Sequence, residues 1–452
     1  MVLAWVPFRF GSNHLISWSI NAVLLSLLLV AFEAGKLVLG AKRPVAIRHI
    51  AWAGAVLAGL IGWILFQLSP YAPSAWQNDF WSLTRDVLAQ IPGAEVVQGR
   101  ISVTPDAGLI GLMKLVTCAA AFYLALQLCR DQRRADFLMI GFVLIALGYA
   151  IFGIVQEVAF PDRVLWIQKT AYEHFVVSTF INRNNYATYA GMGVIVTLGV
   201  LFESYRRAGV GRRLPFGQRL ATLIEVTPRT GLPIAVALVT IMISLIWTGS
   251  RGGVLTTLGG VTMLLLPLFL MAGSRKTMLV ATLAVVAAVL LVMVGYGGDL
   301  AERFADSAGA GERRFDVVRR VWEAALDVPW TGFGYGSFDR MFAVYRNTDM
   351  LLRAHWDKAH NTYVELLFDL GFPAAIAFFG LVGGLIGSIV FRLSQRETRP
   401  IYCLVVLAVS FQVLMHAVVD FSLQIQGVTI TFWILLGAGV AQSWSRQVDT
   451  SI

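Results

Sequence analysis

GDLAERFADSAGAGERRFDVVRRVWEAALDVPWTGFGYGSFDRMFAVYRNTDMLLRAHWDKAHN, residues Gly298 to Asn361, is a long polar, aromatic and charged insertion in a chain whose hydrophobic segments are otherwise joined by shorter connections. A loop of this length inside a compact fold is either functional or disordered. Its patterning argues against disorder. Glu312 to Leu326 carries Phe315, Val318, Trp322 and Leu326 on one helical stripe with Arg313, Arg320 and Glu323 away from it, the period of an amphipathic helix lying on a bilayer or on a bundle. Pro329 to Phe338 alternates glycine with apolar or aromatic residues. Without a strand-to-helix context it reads as a tight turn that packs aromatics, not as a phosphate-binding loop. The insertion ends on Ala359-His360-Asn361, where the next apolar run begins, and is expected to roof a functional site.

What the insertion interrupts decides the fold class. The chain is 57% hydrophobic and only 14% charged, with a mean hydropathy of +0.70, which excludes an ordinary soluble domain. Apolar runs recur at 13–35, 49–68, 108–129, 137–157, 186–204, 231–249, 254–272, 277–297, 362–391, 401–419 and 428–444. Most are about 20 residues, enough for a helix to cross roughly 30 Å of hydrocarbon. They are spread along the whole length, so they are not a signal peptide on a soluble body. The expectation is one all-α integral membrane domain: a first part of the bundle at 1–297, the loop at 298–361, and a last part at 362–452. The run after His360 is too long for one perpendicular helix. Gly371-Phe372-Pro373 should break it and leave Thr362 to Leu370 as a short surface helix.

Basic residues in alternate connections set the orientation, because positively charged loops resist translocation. Lys36, Lys42, Arg43 and Arg48, then Arg130, Arg133 and Arg134, then Arg206, Arg207, Arg212, Arg213, Arg219 and Arg229, then Arg275 and Lys276, then Arg392, Arg396 and Arg399 mark the cytoplasmic side. The N-terminus, residues 69–107 and 160–184, the turn Gly249 to Gly253 and the long insertion then face outward, and the C-terminus inward. The net charge of +9 is only partly accounted for in this way, since the outward loops also carry Arg183, Arg251, Arg303, Arg313, Arg314, Arg319, Arg320, Arg340, Arg346, Arg353 and Lys358. Long loops cross largely regardless of charge, so these could be solvated decoration. An outward cluster of guanidinium groups also suits phosphate-bearing lipids. No nucleic-acid partner is implied. Cys118, Cys129 and Cys403 lie in apolar spans and read as buried hydrophobes rather than a disulfide framework.

Four clusters could carry chemistry. Asn182-Arg183-Asn184-Asn185-Tyr186 sits at the outer mouth of the fifth span, either as a helix cap or as an anion and sugar site, with a guanidinium for phosphate and carboxamides for hydroxyls. Thr248-Gly249-Ser250-Arg251-Gly252-Gly253 turns between two nearly contiguous spans and holds an arginine at the surface, with glycines that would let a ligand approach the backbone. His360, next to Asn361, is placed to act as a base or hydrogen-bond acceptor near neutral pH. His416 and Asp420 are four apart near the outer end of the tenth span, where they could orient or simply satisfy one another. Glu365 and Asp369 share a face, but on an unbroken helix they point away from His360. No spacing suits a metal site or the paired carboxylates of a soluble glycosidase, so no metal or cofactor is expected.

These motifs in this order, with Pro329 to Phe338 between the second and the third, resemble the O-antigen ligase and polymerase superfamily of bacterial envelope enzymes over about residues 175–375. The resemblance implies a GT-C-like membrane protein of about 11–12 transmembrane helices, with a large, partly helical periplasmic loop, in the bacterial inner membrane. It implies a metal-independent, inverting glycosyltransferase that moves a glycan from undecaprenyl pyrophosphate to an acceptor hydroxyl. Carried over, Arg183 and Arg251 would hold the donor pyrophosphate and His360 would take or orient the acceptor proton. Asn182, Asn184, Asn185, Asn361, Arg313, Arg314, Arg353, His416 and Asp420 would be supporting substrate contacts. The acceptor would be lipid A-core for an O-antigen ligase, or a growing glycan for an O-antigen or exopolysaccharide polymerase. A lipid-linked oligosaccharide flippase is the competing class. It would carry ionisable groups at mid-membrane and repeated halves, whereas here the candidate groups crowd one outer face.

Overall fold

The computed structural model describes residues 1–208, 225, 227–271, 300–346, 356–395 and 401–444. The predicted span at 277–297 and the candidate Arg353 lie outside these. Among the described residues, nine helices are long and apolar enough to cross a membrane. In chain order the helices that build the bundle are α1 (Leu15–Val38), α2 (Ala51–Leu68), α3 (Pro105–Leu128), α4 (Gln132–Ala159), α5 (Arg183–Arg207), α6 (Leu232–Trp247), α7 (Arg251–Met271), α8 (Leu300–Asp327), α9 (Thr362–Leu370), α10 (Phe372–Ser394), α11 (Ile401–His416) and α12 (Gln426–Trp444). A two-stranded antiparallel ribbon follows α4, β1 (Arg163–Val164) and β2 (Ile167–Gln168), with Val164 opposite Ile167.

The bundle has centre and periphery. Within their spans 78% of α5 and 89% of α12 is buried, against 17% of α1 and 28% of α2, α6 and α10, so α5 and α12, with α11, form the protein-lined interior while α1, α2, α6 and α10 present apolar side chains outward. Close approach inside is made by small residues, the usual device where lipid gives no hydrophobic incentive to pack. A Cβ on Gly253 of α7 would stand 2.5 Å from Ala187 Cβ of α5, and one on Gly260 would stand 3.0 Å from the Ala408 carbonyl of α11.

Polar interactions sort to the two ends. At one end Arg207 makes a bidentate pair with Asp136 at 2.7 Å, which also accepts from the Tyr402 hydroxyl at 2.8 Å, and Arg206 and Arg207 both pair with Glu203. Arg43, paired with Glu33, and Arg392, over the Trp444 ring, belong to this end. The opposite end gathers Asn182 to Asn185, the turn at Gly249, His360 and Asp420. α1 to α7 and α10 to α12 run alternately between the ends, which is the separation that the basic loops imply.

The helix in the long insertion is longer than its sequence suggests, because α8 spans Leu300–Asp327 where only Glu312 to Leu326 is expected. Its packed face also differs. Val317, Val321, Ala324 and Ala325 are buried, whereas Phe315 is 76% and Leu326 51% exposed and Trp322 leans edge-on against Phe372. The helix is therefore apolar on two sides, one against the protein and one outward.

After α8 the Gly-aromatic turn is fastened at several points. The Gln67 side chain of α2 donates to the Thr331 and Asp369 carbonyls at 2.7 and 3.0 Å and accepts from Tyr335 N at 3.2 Å. The Asp369 carboxylate accepts from Gly336 N at 2.8 Å. A Cβ on Gly332, at φ +64, would stand 2.4 Å from Gly371 N, so only glycine fits. Phe333, Phe338, Phe342 and Phe368 close over this as a satellite core, each worth about 1.5–3 kcal/mol of burial.

Gly371, at φ +76, breaks the last long run between α9 and α10, and Phe372 N donates to the Pro329 carbonyl at 2.7 Å. Beside this junction an apolar cavity of about 550 Å³ lies between α2 and α10, with Trp63, Trp76 and Trp330 in its lining.

Candidate functional site

Arg183 is the first residue of α5, and the sequence makes a helix start there because Asn182 caps it: the Asn182 side chain accepts from Asn184 N at 2.8 Å. The guanidinium of Arg183 lies over the Phe175 ring at 4.3 Å and near the Tyr172 ring at 5.4 Å. Both rings come from the loop that follows the β-ribbon. Lys169 returns from that ribbon to pair with Glu157 of α4 at 2.5 Å, with side chains only 3% and 4% exposed, and also donates to the Phe175 carbonyl at 3.1 Å. A buried ion pair thus holds the platform under Arg183.

Arg251 opens α7 immediately after the turn. Gly249 has φ +63, and a Cβ there would stand 2.4 Å from the Phe175 ring and 3.1 Å from Arg183 Nη1. The turn that carries Arg251 is therefore packed directly against the Arg183 side chain. The glycines around Arg251 make room for protein groups as well: Gly252 lies against His416 Nε2 and Gly253 against Ala187.

His416 and Asp420 lie between these helices and His360, both fully buried. They do not satisfy each other directly. His416 Nδ1 shares a hydrogen bond with Thr188 Oγ1 at 2.6 Å, and Thr188 donates to Ser422 at 2.8 Å. Asp420 accepts from the Asn184 side chain at 3.4 Å and from the Ser422 hydroxyl. Ser422 also reaches the Asn185 carboxamide at 3.1 Å. A buried polar network of this kind is cheap only while every member is satisfied, and here it ties α5 to the segment after α11.

His360 precedes α9 in a left-handed turn, φ +54, and Asn361 caps the helix by accepting from Tyr363 N and Val364 N at 3.0 and 3.1 Å. The imidazole packs edge-on against Phe421 at 5.0 Å and Trp356 at 5.6 Å between ring centres. Nδ1 is buried without a hydrogen-bond partner among the described residues. Burial, and then the charge of Arg314, hold the imidazole below its usual pKa, partly offset by Asp420 and Asp357. A neutral imidazole can accept a proton.

Arg314 of α8 thus reaches the same neighbourhood, since its charge is felt by His360 and by Tyr172. Of the other candidates from the insertion, the Arg313 side chain and Arg353 lie outside the described residues. The structure adds residues that carry no motif: Tyr172, whose hydroxyl accepts from the Asn182 side chain at 3.3 Å, then Phe175, Lys169, Thr188 and Ser422. Tyr172 is pushed above its usual pKa by burial, with Arg183 and Arg314 pulling the other way.

Fold and site together define a multi-pass membrane protein with arginines, a shielded histidine and a buried carboxylate gathered at one end of its bundle. Residues 236–379, from within α6 to the first turns of α10, match the family described as O-Antigen ligase, which supports a place in the O-antigen ligase superfamily. Arg251 and His360 fall inside the match and Arg183 precedes it. No curated protein matches the chain. The match supports a membrane glycosyltransferase of the ligase or polymerase type.

Proposed function

We propose that the chain transfers a glycan from undecaprenyl pyrophosphate to an acceptor hydroxyl on the periplasmic side of the bacterial inner membrane, as an O-antigen ligase acting on lipid A-core. The observation that carries this is the packing of the Arg183 guanidinium against the turn that bears Arg251, at the end of the bundle that also holds His360. Two arginines carried at one end of the bundle suit a pyrophosphate, which supplies the charges and the oxygens for bidentate bonds. As the anomeric bond breaks, negative charge grows on the leaving pyrophosphate, and fixed cations stabilise that state more than the ground state. His360, neutral and desolvated, takes the proton of the attacking hydroxyl. Attack opposite the leaving group inverts the anomeric centre, and no metal is required where guanidinium groups carry the charge.

Transfer to a growing glycan, as an O-antigen or exopolysaccharide polymerase, is the second reading, because the same geometry serves any hydroxyl acceptor. The basic residues at the opposite end of the bundle support the assignment of sides.

The test is reconstitution of the purified chain in lipid with a defined undecaprenyl-pyrophosphate-linked glycan and candidate acceptors. A new glycosidic bond without an energy source, lost in Arg183→Ala, Arg251→Ala and His360→Ala while insertion persists, supports the reading. Movement of donor across the bilayer without bond formation replaces it with a flippase. Deletion in the host separates the two enzymes: long chains left on the carrier mean a ligase, single repeat units a polymerase.

A further inference from the structure

The left-handed turn at His360 is unusual for a residue with a side chain, and such a conformation persists only where its surroundings impose it. The residues after it are fixed by the Asn361 cap and by Thr362, whose N–H donates to the Ala417 carbonyl at 2.9 Å and whose hydroxyl donates to the Asp420 carbonyl at 3.3 Å. The residue before it is fixed by one contact from the helix itself. Glu365 Oε2 accepts from Ala359 N at 2.8 Å, reaching back past His360.

Glu365 is 6% exposed, and a buried carboxyl is costly unless its oxygens are used. Its burial raises its pKa, while the Lys358 charge, the Ala359 N–H and a hydrogen bond from Gln424 act to lower it. None of the chemistry proposed for Arg183, Arg251 and His360 employs this carboxyl.

We propose that Glu365 is the positioning residue of His360. By holding the Ala359 N–H it fixes the peptide that leads into the turn, and so fixes the direction in which the imidazole points at the acceptor hydroxyl. Asn361 and Thr362 pin one side of the turn, Glu365 the other, and His360 is the residue between the two anchors. The proposal rests on the reading of His360 as the proton acceptor.

The experiment is steady-state kinetics of the full chain in lipid, with defined lipid-linked donor and acceptor, on Glu365→Met, Glu365→Gln and His360→Ala. Methionine fills the same space without an acceptor, and glutamine keeps an acceptor oxygen without the charge. Displacing a reacting group by about 1 Å costs on the order of 100-fold in rate, so Glu365→Met should lose kcat on that scale. Its KM for donor should hold, because the arginines are untouched, and Glu365→Gln should recover most of the loss. Full kcat in Glu365→Met, or a Glu365→Gln variant as poor as Glu365→Met, overturns the positioning role. An active His360→Ala overturns the reading of His360 itself, whatever Glu365 does. Should Glu365→Met fail to accumulate, Glu365→Asp, one methylene too short to reach Ala359 N, carries the same two expectations.

Discussion

Replacing Lys169 by methionine tests how much of the arginine site depends on a pair of residues that never touches substrate in the mechanism above. The Lys169 ammonium and Glu157 carboxylate are 2.5 Å apart with almost no exposure. Glu157 Oε1 already has no hydrogen-bond partner among the described residues, so loss of Lys169 strips the carboxylate of its cation. Breaking a buried pair from one side costs about 3–5 kcal/mol, whereas replacing both partners by apolar or neutral groups of similar size is close to neutral. Lys169→Met alone should therefore lose that amount in a reversible detergent-unfolding titration, and Glu157→Gln combined with Lys169→Met should regain most of it. Transfer activity should not follow stability. The bond from Lys169 to the Phe175 carbonyl is absent in both variants, so the ring under Arg183 loosens in both, and the stable double variant should still be slow. A Lys169→Met variant as stable as the parent, or a double variant with parental activity, would refute the account of the platform.

Gly249→Ala puts a Cβ 2.4 Å from the Phe175 ring on a left-handed backbone. Overpacking of that kind costs about 1–3 kcal/mol, and thermal unfolding should show it together with weaker donor binding. Turnover should fall on the acid side as His360 takes up a proton, with the limb below the ordinary imidazole value of about 6.5, since burial and Arg314 lower its pKa; a limb above that value contradicts the burial of the ring. Transfer should survive EDTA at full rate, and a loss restored by a divalent cation would end the metal-independent reading.

The sequence reading succeeded where a single physical rule dominates. Hydrophobic length found the spans of α1 to α7, and Gly371 before Phe372-Pro373 marked the break between α9 and α10, where φ is +76. It was least informative where two surfaces compete. In α8 the stripe of Phe315, Trp322 and Leu326 has the larger side chains, yet Val317, Val321, Ala324 and Ala325 are the residues that fit against the protein. Periodicity gives the angle between two faces but not which face the bundle takes.

Glu365 shows a second limit. The rule of 100° per residue points it away from His360 as long as the helix is unbroken. The chain in fact reverses at His360, so the carboxylate meets Ala359 N behind it. Thr188, Ser422 and Lys169 had no signal at all. Each is an ordinary polar residue until the fold places it against a histidine, a carboxamide or a carbonyl more than a few residues distant.

The φ of +54 at His360 places two separable demands on one position. The main chain asks for a residue that tolerates left-handed geometry, which asparagine and glycine meet and β-branched residues do not. The ring is a demand only histidine meets. A saturation library at this codon should therefore split by abundance before it splits by activity. Asparagine and glycine variants should populate the membrane as inert protein, valine and isoleucine should be depleted from it, and the gap between those two groups measures the backbone demand with the imidazole absent from both.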